Sequence, residues 1–176
     1  MKSVTAVLFS TAFAALSVAQ TPAPATGGNP LVSEAKAAYN RTKANILAAA
    51  EKMPEENYSF SPTKEERPFS QVVAHVAVAQ TAICSAVKGD PKRSDAETKK
   101  TKAELMTALK ASFDLCDSAF DALTDSSATE ISNNRSKLGR LWQNIGHDME
   151  QYASMAGYMR QKGIAPPSSE APAAKR

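Results

Sequence analysis

Apolar residues recur at three- and four-residue steps in four long stretches of the chain, and this periodicity constrains the fold more than any other feature. Asn29 and Pro30 are typical of the N-cap and first position of a helix, and Pro54 ends the first stretch. The stretches predict helices at about residues 30–53, 68–88, 97–123 and 131–162. Four amphipathic helices without credible strands predict an all-α four-helix bundle.

The connector from Pro54 to Pro68 is long for a loop between bundle helices. It contains Tyr58 and Phe60, and these aromatic residues favour packing of the connector over one end of the bundle. A lid over a binding site is the alternative interpretation.

The fourth predicted helix has the most definite end. Gly163 suits the left-handed position that follows a helix, and Pro166 and Pro167 prevent the helix from continuing. We expect Trp142 to lie in the core or at an interface. The predicted apolar stripe of this helix consists of Ile131, Leu138, Leu141, Ile145, Met149, Tyr152, Ala156 and Met159.

The first residues are typical of a secretory signal peptide. Lys2 precedes an apolar stretch, and Ser17-Val18-Ala19 places small residues where a signal peptidase reads them. The mature protein is therefore expected to be exported and to keep no membrane span. The predicted organisation is a signal peptide (1–19), a disordered linker (20–29), the bundle (30–167) and a disordered tail (168–176).

The chain has two cysteines, Cys84 near the end of the second predicted helix and Cys116 late in the third. Export favours a disulfide between them, and two separate buried thiols are the alternative. A disulfide needs Cα atoms within about 7 Å, so the second and third helices would have to run parallel. The bundle would then have an up-down-down-up course, with the segment near residues 88–97 crossing its length.

Two segments resemble a known family. Arg67-Pro68-Phe69-Ser70-Gln71-Val72-Val73-Ala74-His75, and the segment from His147 through Pro167, resemble the DinB-like (DinB/YfiT-like) superfamily, especially its exported bacterial members. The resemblance extends over about residues 30–169 and implies an up-down-down-up four-helix bundle in the periplasm or secreted medium of a bacterium. Many members hold a divalent metal on three histidines, and some relatives are thiol-dependent transferases or isomerases.

Carried over to this sequence, the resemblance places the three metal-ligand positions at His75, His147 and Gln151. Residues four apart lie on one face of a helix, and a histidine from a second helix can complete a site for zinc or nickel. The neutral amide of Gln151 is a poor ligand for either metal. Helical phase also places His147 away from the apolar stripe, on a polar face of its helix.

Two functions follow from these residues. In the first, His75 and His147 bind zinc or nickel in a hydrolase or thiol-dependent transferase-like enzyme, with Tyr158 as a supporting hydrogen-bond donor. In the second, which the sequence favours slightly, the protein is non-catalytic, has a degenerate metal site and holds no metal. It would bind an unidentified small molecule or a protein partner, or form a homodimer.

Charge and motifs argue against other classes of function. The formal net charge is +3, and no aromatic residues are interleaved with the basic cluster of Lys99, Lys100 and Lys102. Nucleic-acid binding is therefore not expected. The sequence also lacks a glycine-rich phosphate loop and a Ser/His/Asp set in a recognisable context.

Cleavage of the predicted signal peptide is expected to leave Gln20 as the first residue, because Ala19 precedes the cleavage site. Intact mass spectrometry of protein expressed with its full leader in a bacterial host measures this directly. A mature chain that still begins at Met1 would contradict the prediction of export through a cleaved signal.

Overall fold

The computed structural model describes residues 30–132 and 134–170 of the chain. Its helices are α1 (Pro30–Lys52), α2 (Phe69–Val87), α3 (Lys102–Asp121), α4 (Asp125–Ala128) and α5 (Lys137–Gln161). Two short strands, β1 (Ile131–Ser132) and β2 (Arg135–Ser136), pair as an antiparallel hairpin. Single 3-10 turns lie at Glu55–Asn57, Ala96–Thr98 and Pro167–Ser169. The predicted signal peptide and linker lie outside the described residues.

The four long helices form the predicted all-α bundle, in which α2 packs mainly on α3 and α5, and α1 mainly on α5 and α3. The disulfide Cys84–Cys116 joins the late turns of α2 and α3, with Cα atoms 5.0 Å apart, so these helices run parallel. Lys102 at the start of α3 donates to the carbonyl of Met53 just beyond α1, so α1 and α3 run antiparallel. The course is therefore up-down-down-up, as the sequence predicted.

The connector between α1 and α2 packs over the end of the bundle, as its aromatic residues indicated. Tyr58 is buried, donates to the carbonyl oxygen of Ala50 at 2.6 Å, and lies edge-on to Phe69 with ring centroids 5.2 Å apart. Phe60 packs edge-on against Tyr158 of α5 at 6.0 Å. These contacts favour the packing interpretation over a lid.

The crossover between α2 and α3 (residues 88–101) runs along the bundle from one end to the other. Ala96 is fully buried and anchors it. The third helix begins at Lys102, later than the predicted residue 97, because Thr101 and Glu104 form a capping box there. The prediction extended this helix too far because the preceding 3-10 turn, Ala96–Thr98, has a helix-like sequence.

The predicted start of the last helix at Ile131 is wrong, as is the expectation of no strands. Ser136 caps α5, because its hydroxyl accepts a hydrogen bond from the backbone N–H of Gly139 at 2.9 Å. Ile131 lies instead in the hairpin and is 70% exposed. Met149 is 54% exposed, so it does not belong to the core as expected. Trp142 is 44% exposed, which leaves an interface as the remaining expectation for this residue.

The core is centred on aromatic contacts between α1 and α3. Tyr39 stacks on Phe120 with ring centroids 4.7 Å apart, and its hydroxyl donates to the carbonyl oxygen of Phe113 and to Asp117 Oδ1. Burial, followed by the hydrogen bond to Asp117, raises the pKa of Tyr39, so the phenol keeps its proton and its role as donor.

Within the described ranges, α2 alone is long and apolar enough to cross a bilayer by length and composition, and 50% of that stretch is buried inside the bundle. This composition is also that of a core helix, since α2 is covered by both α3 and α5.

The tail predicted to be disordered from Ser168 begins with ordered residues. Ser168 donates through its backbone N–H to the Tyr152 hydroxyl at 2.9 Å, and Arg160 donates to Ser169 at 3.1 Å. Lys52 at the end of α1 pairs with Glu170. The rest of the predicted tail, residues 171–176, lies outside the described residues.

Replacing both cysteines, Cys84→Ala with Cys116→Ala, is expected to lower the free energy of unfolding by about 3–4 kcal/mol, because the bridge closes a loop across a sequence separation of 32. Urea denaturation followed by circular dichroism measures the loss. Wild-type protein under reductant serves as the matched control and should lose a similar amount. A loss below about 1 kcal/mol would show that the crossover loop is already restricted in the unfolded chain.

Candidate functional site

The fold brings His75 of α2 and His147 of α5 into direct contact. Their Nε2 atoms are 3.0 Å apart and their ring centroids 4.9 Å apart, with the ring planes inclined by 65°. Both side chains are partly buried. One Nε2 must carry the proton and donate it in a hydrogen bond, and the other Nε2 must accept that bond through its lone pair. A lone pair that could bind a metal is therefore used in this hydrogen bond.

A row of buried polar side chains lies beside the histidine pair, between α2 and α5. Asn144 Nδ2 donates to Gln80 Oε1 at 2.6 Å and to Asp148 Oδ2 at 3.2 Å, and all three residues are 0% exposed. Gln80 also lies against the disulfide, with its Oε1 2.6 Å from Cys116 Sγ, a contact without a proton because both sulfurs are bonded. The polar row thus connects the site to the bridge between α2 and α3.

Several polar atoms in this region have no hydrogen-bond partner among the described residues. They are Gln80 Nε2, Asn144 Oδ1, His147 Nδ1 and Asp148 Oδ1. The last two are 3.6 Å apart, too far for a hydrogen bond. Since unpaired buried polar atoms are costly, this row weakens the α2–α5 contact compared with an apolar one.

Burial shifts the pKa of two groups in this region, Asp148 and His75. It raises the pKa of Asp148, and the neighbouring His147 opposes that rise only in part. It also lowers the pKa of His75, assisted by the nearby His147 and by Arg67. The site therefore favours a neutral imidazole at His75 and a carboxyl at Asp148 that resists ionisation.

The third predicted ligand position is occupied by Gln151. Gln151 lies one turn beyond His147 on α5 but borders a shallow groove together with Glu65, Glu66 and Tyr158. The Tyr158 hydroxyl donates to the carbonyl oxygen of Arg67 at 3.0 Å, so it is used in holding the connector.

The donor set does not fit a three-ligand metal site. Two nitrogens 3.0 Å apart can occupy neighbouring ligand positions, since metal–nitrogen bonds of about 2.0–2.1 Å at right angles give that separation. However, the third donor is the neutral amide of Gln151, and His147 Nδ1 lacks the hydrogen-bonded partner that usually orients a ligand. Across the described ranges, no group of three or more His, Cys, Asp or Glu side chains is arranged to hold a metal.

A groove of about 310 Å³ opens beside His75, between the first turns of α2 and the crossover. One wall comes from α2 and from Arg67, which lies two residues before it, and the other comes from residues 97–100. Its lining residues are Arg67, Ser70, Gln71, Ala74, His75, Glu97, Lys99 and Lys100.

Comparison with protein families shows which family the chain belongs to. The family model for the DinB superfamily matches residues 38–155, more than half of the 176-residue chain. The chain belongs to the DinB superfamily. The match includes α2 and most of α5, the two helices that carry the histidine pair. A comparison with curated proteins finds no match to this DinB-superfamily chain.

Sequence reasoning identified the two histidines but missed the buried polar row. Neither Asn144 nor Asp148 belongs to the predicted apolar stripe, although both are fully buried. Their spacing, with His147 and Gln151, at three and four residues was the signal for a polar face packed against another helix. The groove was also missed, because only the crossover brings residues 97–100 beside His75.

The substitution Asp148→Asn is expected to stabilise the fold at pH 7 by roughly 1–3 kcal/mol, because burial disfavours the ionised carboxylate more than the neighbouring His147 favours it. Its amide oxygen can still accept from Asn144. The folded pKa of Asp148 is raised, so its neutral carboxyl contributes fully to folding stability below the unfolded pKa of about 3.9. That contribution is lost as pH rises through the folded pKa. The gain should therefore shrink towards zero as pH falls to about 4.

Urea denaturation between pH 4 and pH 8 measures the stability difference. Asp114→Asn on the exposed side of α3 is the matched control and should show no comparable gain. A loss of stability for Asp148→Asn at pH 7 would mean that the ionised Asp148 has a favourable partner in the folded protein.

Proposed function

We propose that this DinB-superfamily protein is an exported, non-catalytic small-molecule-binding bundle whose ancestral metal site is degenerate. The observation that carries the proposal is the direct Nε2–Nε2 contact of His75 and His147 at 3.0 Å, with Gln151 in place of a third imidazole. A metal would have to break this hydrogen bond and would then gain only two imidazole ligands.

Three further features support a binding role rather than catalysis through a metal. Asp148 is fully buried and accepts a hydrogen bond from Asn144 at 3.2 Å, so its carboxyl does not reach a molecule in the groove. The Tyr158 hydroxyl is used by the carbonyl of Arg67 and is not directed to the histidines. The groove beside His75 is large enough for a small ligand.

The disulfide supports export. A buried bridge between two long helices forms and persists in oxidising compartments such as the bacterial periplasm or the extracellular medium. This agrees with the predicted signal peptide over residues 1–19.

Metal content tests the proposal. Mature protein purified without a histidine tag, incubated with zinc or nickel and then desalted, is expected to retain far less than about one ion per chain by elemental analysis, because only two imidazoles are in place. Stoichiometric metal in the wild type that is lost in His75→Ala would overturn the proposal and favour the alternative, a metal-dependent hydrolase or thiol transferase.

Restoring the third imidazole gives the complementary test. Gln151→His is expected to gain about one metal ion per chain, since a His-x-x-x-His pair would then face His75. Gln161→His, the same change at the exposed end of α5, is the matched control and should gain none. Absence of metal in Gln151→His would show that the geometry at this position, and not only the ligand type, has diverged.

A further inference from the structure

The groove beside His75 has an excess of positive charge that nothing in the bundle requires. Arg67, Lys99 and Lys100 line it, against the single carboxylate of Glu97. Arg67, Glu97 and His75 all line the same groove. The net charge of the lining is therefore positive even with a neutral imidazole.

Two of these cations have unused binding capacity. Lys99 Nζ pairs with Asp95 Oδ2 at 2.7 Å, outside the groove lining. Arg67 and Lys100, by contrast, make no side-chain ion pair among residues 30–132 and 134–170. Arg67 also borders the neighbouring groove that contains Glu65 and Glu66.

The basic cluster of the sequence is divided by the fold. Lys102 Nζ donates to the carbonyl oxygens of Glu51 and Met53 at 2.6 and 3.0 Å, where it caps the end of α1. Only Lys99 and Lys100 face the groove. The sequence pattern alone did not separate the capping role of Lys102 from the groove-lining role of Lys99 and Lys100.

Both rims of the groove are held in place before any ligand binds. On the crossover, Glu104 Oε2 accepts from the backbone N–H groups of Lys100 and Thr101 at 3.1 and 3.0 Å. On the opposite side, the carbonyl of Arg67 accepts from Tyr158 at 3.0 Å. These bonds fix the backbone of both rims, so an anion would have to order only the side chains of Arg67 and Lys100.

We propose that this groove is a binding site for a small organic anion whose carboxylate or phosphate group lies between Arg67 and Lys100. The guanidinium offers a planar, two-pronged donor, and the ammonium adds a point charge. The neutral side chains of Ser70 and Gln71 line the groove as further donors. A volume of about 310 Å³ restricts the ligand to a small metabolite.

This proposal rests on the small-molecule-binding role proposed above and names the ligand class, but it does not depend on whether the protein holds metal. The test uses mature, chelator-treated protein whose metal content is measured on the same preparation. A metal found in this preparation would overturn the non-catalytic proposal, and the anion-binding result would still be judged separately.

Isothermal titration with succinate, inorganic phosphate and the uncharged succinamide forms the experiment, with amide NMR shifts to locate binding. At least one anion is expected to bind and to shift the N–H signals of residues 70–71 and 99–100, whereas succinamide should not bind. Binding of succinate alone identifies a carboxylate ligand, and binding of phosphate alone identifies a phosphorylated one; either result supports the site.

The substitutions Arg67→Gln and Lys100→Gln are each expected to weaken anion binding about fivefold or more, the scale of one lost charge contact near a protein surface. Lys110→Gln, which removes an equal charge from the exposed face of α3, is the matched control and should change the dissociation constant by less than about twofold. Thermal melts confirm that all variants are folded.

Failure of both anions to bind the folded wild type would overturn the proposal. So would binding that Lys110→Gln weakens as much as Arg67→Gln does, because that result would indicate general attraction to a basic protein. Shifts confined to residues outside the groove would overturn it as well.

Discussion

The covalent link between the late turns of α2 and α3 is the constraint on which the rest of the structure depends. Because Cys84 and Cys116 lie at the same level, the two helices run parallel. A chain that leaves one end of α2 must then travel the length of the bundle before α3 can begin. That requirement creates the crossover, and the crossover supplies one wall of the groove beside His75.

Unlike the disulfide, the polar row between α2 and α5 contributes little to the stability of the bundle. Gln80, Asn144 and Asp148 are fully buried and only partly satisfied, so they contribute less to stability than apolar side chains of similar size would. They do restrict the register of the two helices, because Asn144 meets Gln80 only at one relative height. The histidine pair one turn away depends on the same register, and a bundle held by aliphatic packing alone would fix it less tightly.

Local signals made most of the fold predictable from sequence. Periodic apolar residues and Pro54 placed α1 and α2 nearly correctly, and Gly163 placed the end of α5. The cysteine positions indicated the course of the bundle. The start of α5 could not be read in this way, since the cap at Ser136 competes with an equally helical sequence before it. The site was less predictable: the contact of His75 with His147 followed from a family resemblance, whereas the burial of Asp148 and the groove depend on helices and a crossover that meet only in three dimensions.

The crossover is fixed to the bundle at a few points, chiefly the buried Ala96 and the capping box at Thr101. Three of its residues, Glu97, Lys99 and Lys100, line the groove. Ligand preference in this architecture can therefore diverge through changes in a single exposed segment, while the four helices and their disulfide stay the same. A fold of this kind separates the part that must be conserved for stability from the part that is free to evolve new recognition.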